Sequence, residues 1–166
     1  MPVTVKSRPL GVRADLSLST EQSEMIGFLE AYDLWFVEER VERKGLIPAE
    51  RLKIAAREFK RYMALVGLGY RGLGMLSPEV DEVWHTFILF TREYAAFCRE
   101  AFGEFIHHVP RTSRSPLAES SGDNFRSAYA EVFGEAAGTM YEEKRAAGPA
   151  LRDEPAGCGT EDCTDG

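Results

Sequence analysis

The sequence predicts an all-α, single-domain bundle of about five helices, and three observations carry that expectation. Apolar residues recur at three- and four-residue steps over long stretches. No stretch alternates apolar and polar residues long enough to read as a strand. Glycine, proline and serine fall at the ends of the periodic stretches, where helices start and stop. A chain of 166 residues with 44% hydrophobic content is of one-domain size and can bury an ordinary core.

Residues 1–18, with Pro2, Pro9 and Gly11, are expected as an extended leader, and residues 19–138 as the helical domain. Within it, "LSTEQSEMIGFLEAYDLWFVEERVERKG" reads as one long helix. Ser19 or Thr20 serves as its N-cap and Gly45 as its stop, and Met25, Phe28, Leu29, Tyr32, Trp35 and Phe36 lie on period. "PAERLKIAAREFKRYMALV" reads as the second, with Pro48 in the first turn. Leu52, Ala55, Ala56, Phe59, Tyr62, Met63 and Val66 share a face, with Arg and Lys on the other.

"GLGYRGLGM" satisfies the spelling G-x-G-x-x-G with Gly67, Gly69 and Gly72. A dinucleotide fingerprint needs a strand before it and a helix opening at its third glycine. Here a helix precedes it and the next starts at Ser77–Pro78, so no nucleotide is expected; the glycines serve a helix–helix connection. Ser77 is the expected N-cap of a third helix to about Phe90, with Pro78 in its first turn and Glu79 and Asp81 favouring the positive end of its dipole. Thr91 caps a fourth, ended by Gly103. "SGDNFRSAYAEVFGEAAG" supplies the fifth, with Phe125, Tyr129, Val132 and Phe133 inward. Residues 139–166 are expected as a flexible acidic tail carrying Cys158 and Cys163.

Charge excludes one broad class of function. Net charge is −7, of which residues 139–166 contribute −4, so neither part offers the concentrated positive field that phosphate backbones demand. No run approaches the roughly 20 apolar residues that span a bilayer. The opening residues have no continuous apolar h-region, and the cysteines number three; a cytoplasmic protein with reduced thiols is expected.

All three histidines, His85, His107 and His108, fall in residues 77–110. On a helix Val80, Val83, Trp84 and Phe87 share a face, and Asp81 and His85 lie along its edge. That i,i+4 spacing sets their Cβ atoms about 5–6 Å apart, so the carboxylate can bond the imidazole or ligate the same metal. Tyr94 and Cys98 repeat the spacing on the next helix, and His107 and His108 follow where a loop can fold back over His85. Two His and a carboxylate with open positions suit non-haem Fe(II); His with Cys in a closed site suits Zn(II). The metal reading therefore names Asp81, His85, Cys98, His107 and His108, with Trp84 and Tyr94 supporting the ligands. The structural reading pairs His85 with Asp81 as an ordinary half-buried imidazole and makes Cys98 and Trp84 core. Adjacent histidines point in different directions, so at most one of His107 and His108 joins a centre.

The string "VDEVWHTFILFTREYAAFC", followed by "GEFIHH", resembles the core motif of the glycine-rich domain-containing protein-like family. That pattern runs Asp-x-x-Trp-His-x-His, then Tyr-x-x-x-Cys, then a late His-Asp or His-His. Asp81, Trp84, His85, Tyr94, Cys98 and His107 match it, within a likeness over about residues 20–135. The resemblance implies a helical fold and a short, bacterial-type member. Phe87 stands where the family often has a second histidine, which removes one donor, and the glycine-rich tail shrinks here to "GCGTEDC".

Three functional readings are open at this point. One is a helical protein with a Zn or Fe site around His85. Another is a non-catalytic module that holds a protein partner in a helical groove, with Trp35, Phe36 and Tyr70 as the aromatics to inspect. The third is thiol chemistry at Cys98, or a disulfide across Cys158 and Cys163, whose C-x4-C spacing is not the redox C-x-x-C.

Overall fold

The computed structural model describes residues 8–110, 112–114, 116, 118–135, 137 and 141. Six α-helices and no strand occur among them: α1 (Thr20–Ala31), α2 (Trp35–Lys44), α3 (Ala49–Gly67), α4 (Pro78–Leu89), α5 (Thr91–Phe102) and α6 (Ser121–Phe133). The all-α expectation holds. Residues 142–166, with Cys158 and Cys163, lie outside the described residues, as do 139 and 140. Among the described residues no helix is long and apolar enough to cross a membrane.

The sixth helix arises because the first expected one is two. Tyr32 adopts extended backbone (φ −62°, ψ 124°), and the Trp35 amide donates to Asp33 Oδ1 at 3.0 Å. A short polar side chain that captures a nearby N–H offers the backbone an alternative to the helical ladder. The break turns Tyr32 inward, with its ring 4.8 Å from Phe97 and 5.8 Å from Phe87. It also lets α1 pack on α3 and α5 while α2 packs on α4. Ser19 is the N-cap, in a reciprocal capping box with Gln22. Gly45 and Gly103 stop α2 and α5 with left-handed backbone, as expected. Thr91, expected as a cap, is instead the first residue of α5, and Phe90 occupies the boundary.

Helix α3 is the central element, packed by α1, α2, α4 and α6. It is covered on two sides, so the expectation that its Arg and Lys all face solvent fails at Arg61, which is buried together with Glu58. The Arg61 guanidinium donates to Leu10 O at 2.9 Å, Glu135 Oε1 at 2.7 Å and Glu58 Oε1 at 3.4 Å. Tyr129 Oη accepts at 2.5 Å from Arg61 and donates to Glu58 Oε2 at 2.9 Å. These bonds tie the chain's start and α6 to the central helix. The described part of the expected leader is therefore packed: Pro9–Gly11 form a 3₁₀ turn, and Leu10 and Val12 belong to the core. At Gly11, in positive φ, an added Cβ would stand 2.7 Å from the Arg61 guanidinium, which keeps the position glycine.

The connection after α3 is a glycine turn, with Gly69 at φ 96° and Gly72 at φ 65°. It leads to α4 without any strand, so the context of a dinucleotide site is missing here. Ser77 caps α4, accepting from the Val80 amide at 3.3 Å. The face predicted for α4 is the buried one: Val80, Val83, Trp84 and Phe87 enter the core. Asp81 and His85 are left at its margin.

Candidate metal centre

Residues from two separate segments converge at that margin. Asp81, in the first turn of α4, and His85, one turn later, share an edge because four residues span just over one helical turn. His108 lies in irregular chain after α5, two residues before Pro110, whose ring favours extended backbone at the residue it follows. Its Nε2 stands 2.9 Å from Asp81 Oδ1, and His85 Nε2 stands 3.8 Å from Asp81 Oδ2. The two imidazole centroids are 4.4 Å apart. One ligand atom from each of the three residues lies within 4.8 Å of the others. Ligands about 2.0–2.2 Å from a common Zn(II) stand roughly 3–3.5 Å from one another, so small rotamer adjustments close this group on an ion.

The site is accessible without being bare. Asp81 and His85 side chains are 32% and 45% exposed, and His108 is 12% exposed. All three line a cleft of about 390 Å³ whose other walls include Tyr62, Leu73, Met75 and Trp84. Tyr62 carries a hydroxyl pushed up to about 12, first by burial and then by the Asp81 charge, and donates to Leu73 O at 3.2 Å. Held protonated and donating to Leu73 O, this hydroxyl offers the cleft its oxygen as an acceptor. Over Tyr62 and Trp84 this cleft adjoins a larger one of about 630 Å³ that reaches Tyr70 and Phe105.

Trp84 and Tyr94 hold the late histidine in place. Trp84 lays its ring edge-to-face against His108, with centroids 4.4 Å apart. Its indole N–H donates to Tyr94 Oη at 2.9 Å, and Tyr94 Oη donates to Ile106 O at 2.6 Å. This chain of bonds pins the backbone two residues before His108, which orients the imidazole toward Asp81. Tyr94→Phe removes the donor to Ile106 O and the acceptor for Trp84. It should weaken binding of Zn(II) about 10–100-fold, as loss of ligand-orienting partners does elsewhere. Isothermal titration of the variant against the native chain, with circular dichroism confirming the fold, checks this.

Two expected ligands are not brought into the group. His107 lines the same cleft but is not in the group, and packs its ring on Phe105 at 4.8 Å, although the sequence likeness aligned this histidine rather than His108. Cys98 lies in the core beneath Tyr94, fully buried. Burial pushes its thiol up, against smaller opposing effects of the Ile106 amide and the Tyr94 hydroxyl. That direction is opposite to the depressed value an activated thiolate needs, so Cys98 reads as a core residue rather than a nucleophile. Without Cys98, a closed His/Cys zinc site is not formed among the described residues.

Of the aromatics considered for a groove, Trp35 is exposed, Phe36 packs on Phe87 and Phe90, and Tyr70 lines the larger cleft. Sequence reasoning missed Tyr62 as a wall of the site; its place among the core positions of α3 gave no sign that its hydroxyl end reaches a cleft. It also missed the Arg61–Glu58–Tyr129 network, whose only trace was a surplus of chemistry on a helix taken to be solvated on one side.

Comparison with curated proteins and with solved structures returns no match. The UCP032817-like family profile matches residues 28–136, a span holding α2 to α6 and every residue of the His/Asp group. That match extends over more than half of the 166 residues, and the chain belongs to the UCP032817-like family.

Proposed function

We propose that this protein binds one divalent transition metal, Zn(II) or Fe(II), through Asp81, His85 and His108, leaving coordination positions open to the adjoining cleft. The observation that supports this reading is the convergence of two imidazoles and one carboxylate from segments 27 residues apart. Three protein ligands with a remaining open position are the mark of a metal that handles water or a substrate rather than a structural staple. Such an ion lowers the pKa of bound water and polarises oxygen ligands. The wall formed by Tyr62 and Trp84 shields one side of that position and leaves the Tyr62 hydroxyl oxygen, whose proton goes to Leu73 O, as an acceptor beside it.

The test is a titration of chelator-stripped protein with Zn(II), and with Fe(II) under anaerobic conditions. One equivalent should bind, His108→Ala and His85→Ala should each abolish it, and His107→Ala and Cys98→Ser should leave it intact. Unaltered stoichiometric binding in His108→Ala removes the reading. A protein partner seated in the larger cleft is the second reading, favoured by Phe105, which is exposed within it. It predicts a chain that binds no metal in the same titration.

A further inference from the structure

On the other side of the His85–His108 pair lies a second cleft of about 390 Å³, between α2 and α4. Its floor is apolar, built from Leu46, Ile88, Leu89 and Pro110. Leu89 and Leu46 are 63% and 43% exposed, so this floor meets solvent. Its rim carries Arg40 and Lys44, both on α2.

These two cations are spaced i,i+4, which sets like charges against each other on the helix surface. Neither is among the ion pairs or hydrogen bonds of the described residues, whereas Arg43 on the same helix pairs with Glu39 at 2.7 Å. Lys44 lies in the last turn of α2, where the helix dipole favours a cation; Arg40 has no such reason for its place. The one carboxylate on the cleft, Glu82, accepts from the Thr86 hydroxyl at 3.4 Å rather than from either cation. An apolar floor with a doubly cationic rim is complementary to a molecule with an apolar body and an anionic head. The volume is that of a small-molecule site.

We propose that this cleft binds a small aliphatic anion, its carboxylate or phosphate head held by Arg40 and Lys44 and its chain laid on Leu46, Ile88 and Leu89. The inference does not require the metal, because no ligand atom of the His/Asp group is asked to bind the anion.

The experiment is calorimetric titration of the full, chelator-stripped chain with octanoate, decanoate, decyl phosphate and decanol at low salt. The anions should bind, with each added methylene tightening the interaction by up to about fourfold. Decanol should bind about three- to tenfold more weakly than decanoate, because each exposed ion pair contributes up to about 1 kcal/mol. Arg40→Gln/Lys44→Gln should weaken decanoate about three- to tenfold, and 0.5 M salt should do the same. Leu89→Gln should weaken decanoate while leaving its salt dependence. Equal binding of decanol and decanoate, unchanged affinity in the double variant, or no binding of either anion overturns the proposal. Displacement of decanoate by hexaglutamate at least as effective as by octanoate also overturns it, in favour of an acidic peptide.

Discussion

Asp81→Ala should raise the dissociation constant for Zn(II) by more than about 100-fold, beyond the range seen when only a supporting group is lost. Asp81 is the residue that touches both imidazoles, at 2.9 Å and 3.8 Å, and it supplies the negative charge of the group. The same substitution should cost the apo protein only about 1–2.5 kcal/mol. The carboxylate is about a third exposed, and its loss forfeits about 0.3–1 kcal/mol of dipole interaction in the first turn of α4 and about 0.5–1.5 kcal/mol of hydrogen bond to His108. The split between lost metal and retained stability is the signature of a ligand, and calorimetry beside thermal melts reads both. A structural carboxylate would show the reverse.

Arg61→Ala should destabilise the fold by about 3–5 kcal/mol, as much as truncating a core aromatic, because it strips the partner from a buried carboxylate. Glu58 keeps its hydrogen bond from Tyr129, while Leu10 O loses its donor. For a domain of this size that corresponds to a fall in Tm of roughly 10 °C. The deficit should depend on pH. Burial already pushes the Glu58 carboxyl up from its ordinary 4.5, and the Arg61 charge opposes that push. Without Arg61 the folded-state value rises further. A carboxyl raised in the folded state penalises folding when ionised, fully above its folded pKa, and the penalty fades as pH falls toward 4.5. The variant should thus lose more relative to the native chain at pH 8 than at pH 5, measured by urea denaturation at both. A deficit independent of pH would place the damage in lost packing alone.

Much of this architecture is legible from the chain, and the exceptions have physical causes. The buried stripe of α4 follows from Val80, Val83, Trp84 and Phe87 at helical spacing, and the Asp81–His85 edge follows with it. Periodicity could not reveal the break at Asp33, because apolar residues continue on both sides while a local bond from the Trp35 amide to the Asp33 carboxylate decides the backbone. Nor could it place Arg61, since a helix covered on two faces hides residues opposite its apolar stripe. The choice of His108 over His107 lay equally out of reach. Neighbours in non-helical chain point apart, and a tertiary hydrogen bond from Tyr94 to Ile106 O selects which one turns toward Asp81.

Three side chains of this helical bundle are proposed to close on a metal. Anomalous diffraction at the zinc edge from crystals grown with one equivalent of Zn(II) tests it most directly. A single strong peak should stand about 2.0–2.2 Å from Asp81 Oδ, His85 Nε2 and His108 Nε2. A peak elsewhere, or none, with those three side chains arranged as they are now, would contradict it.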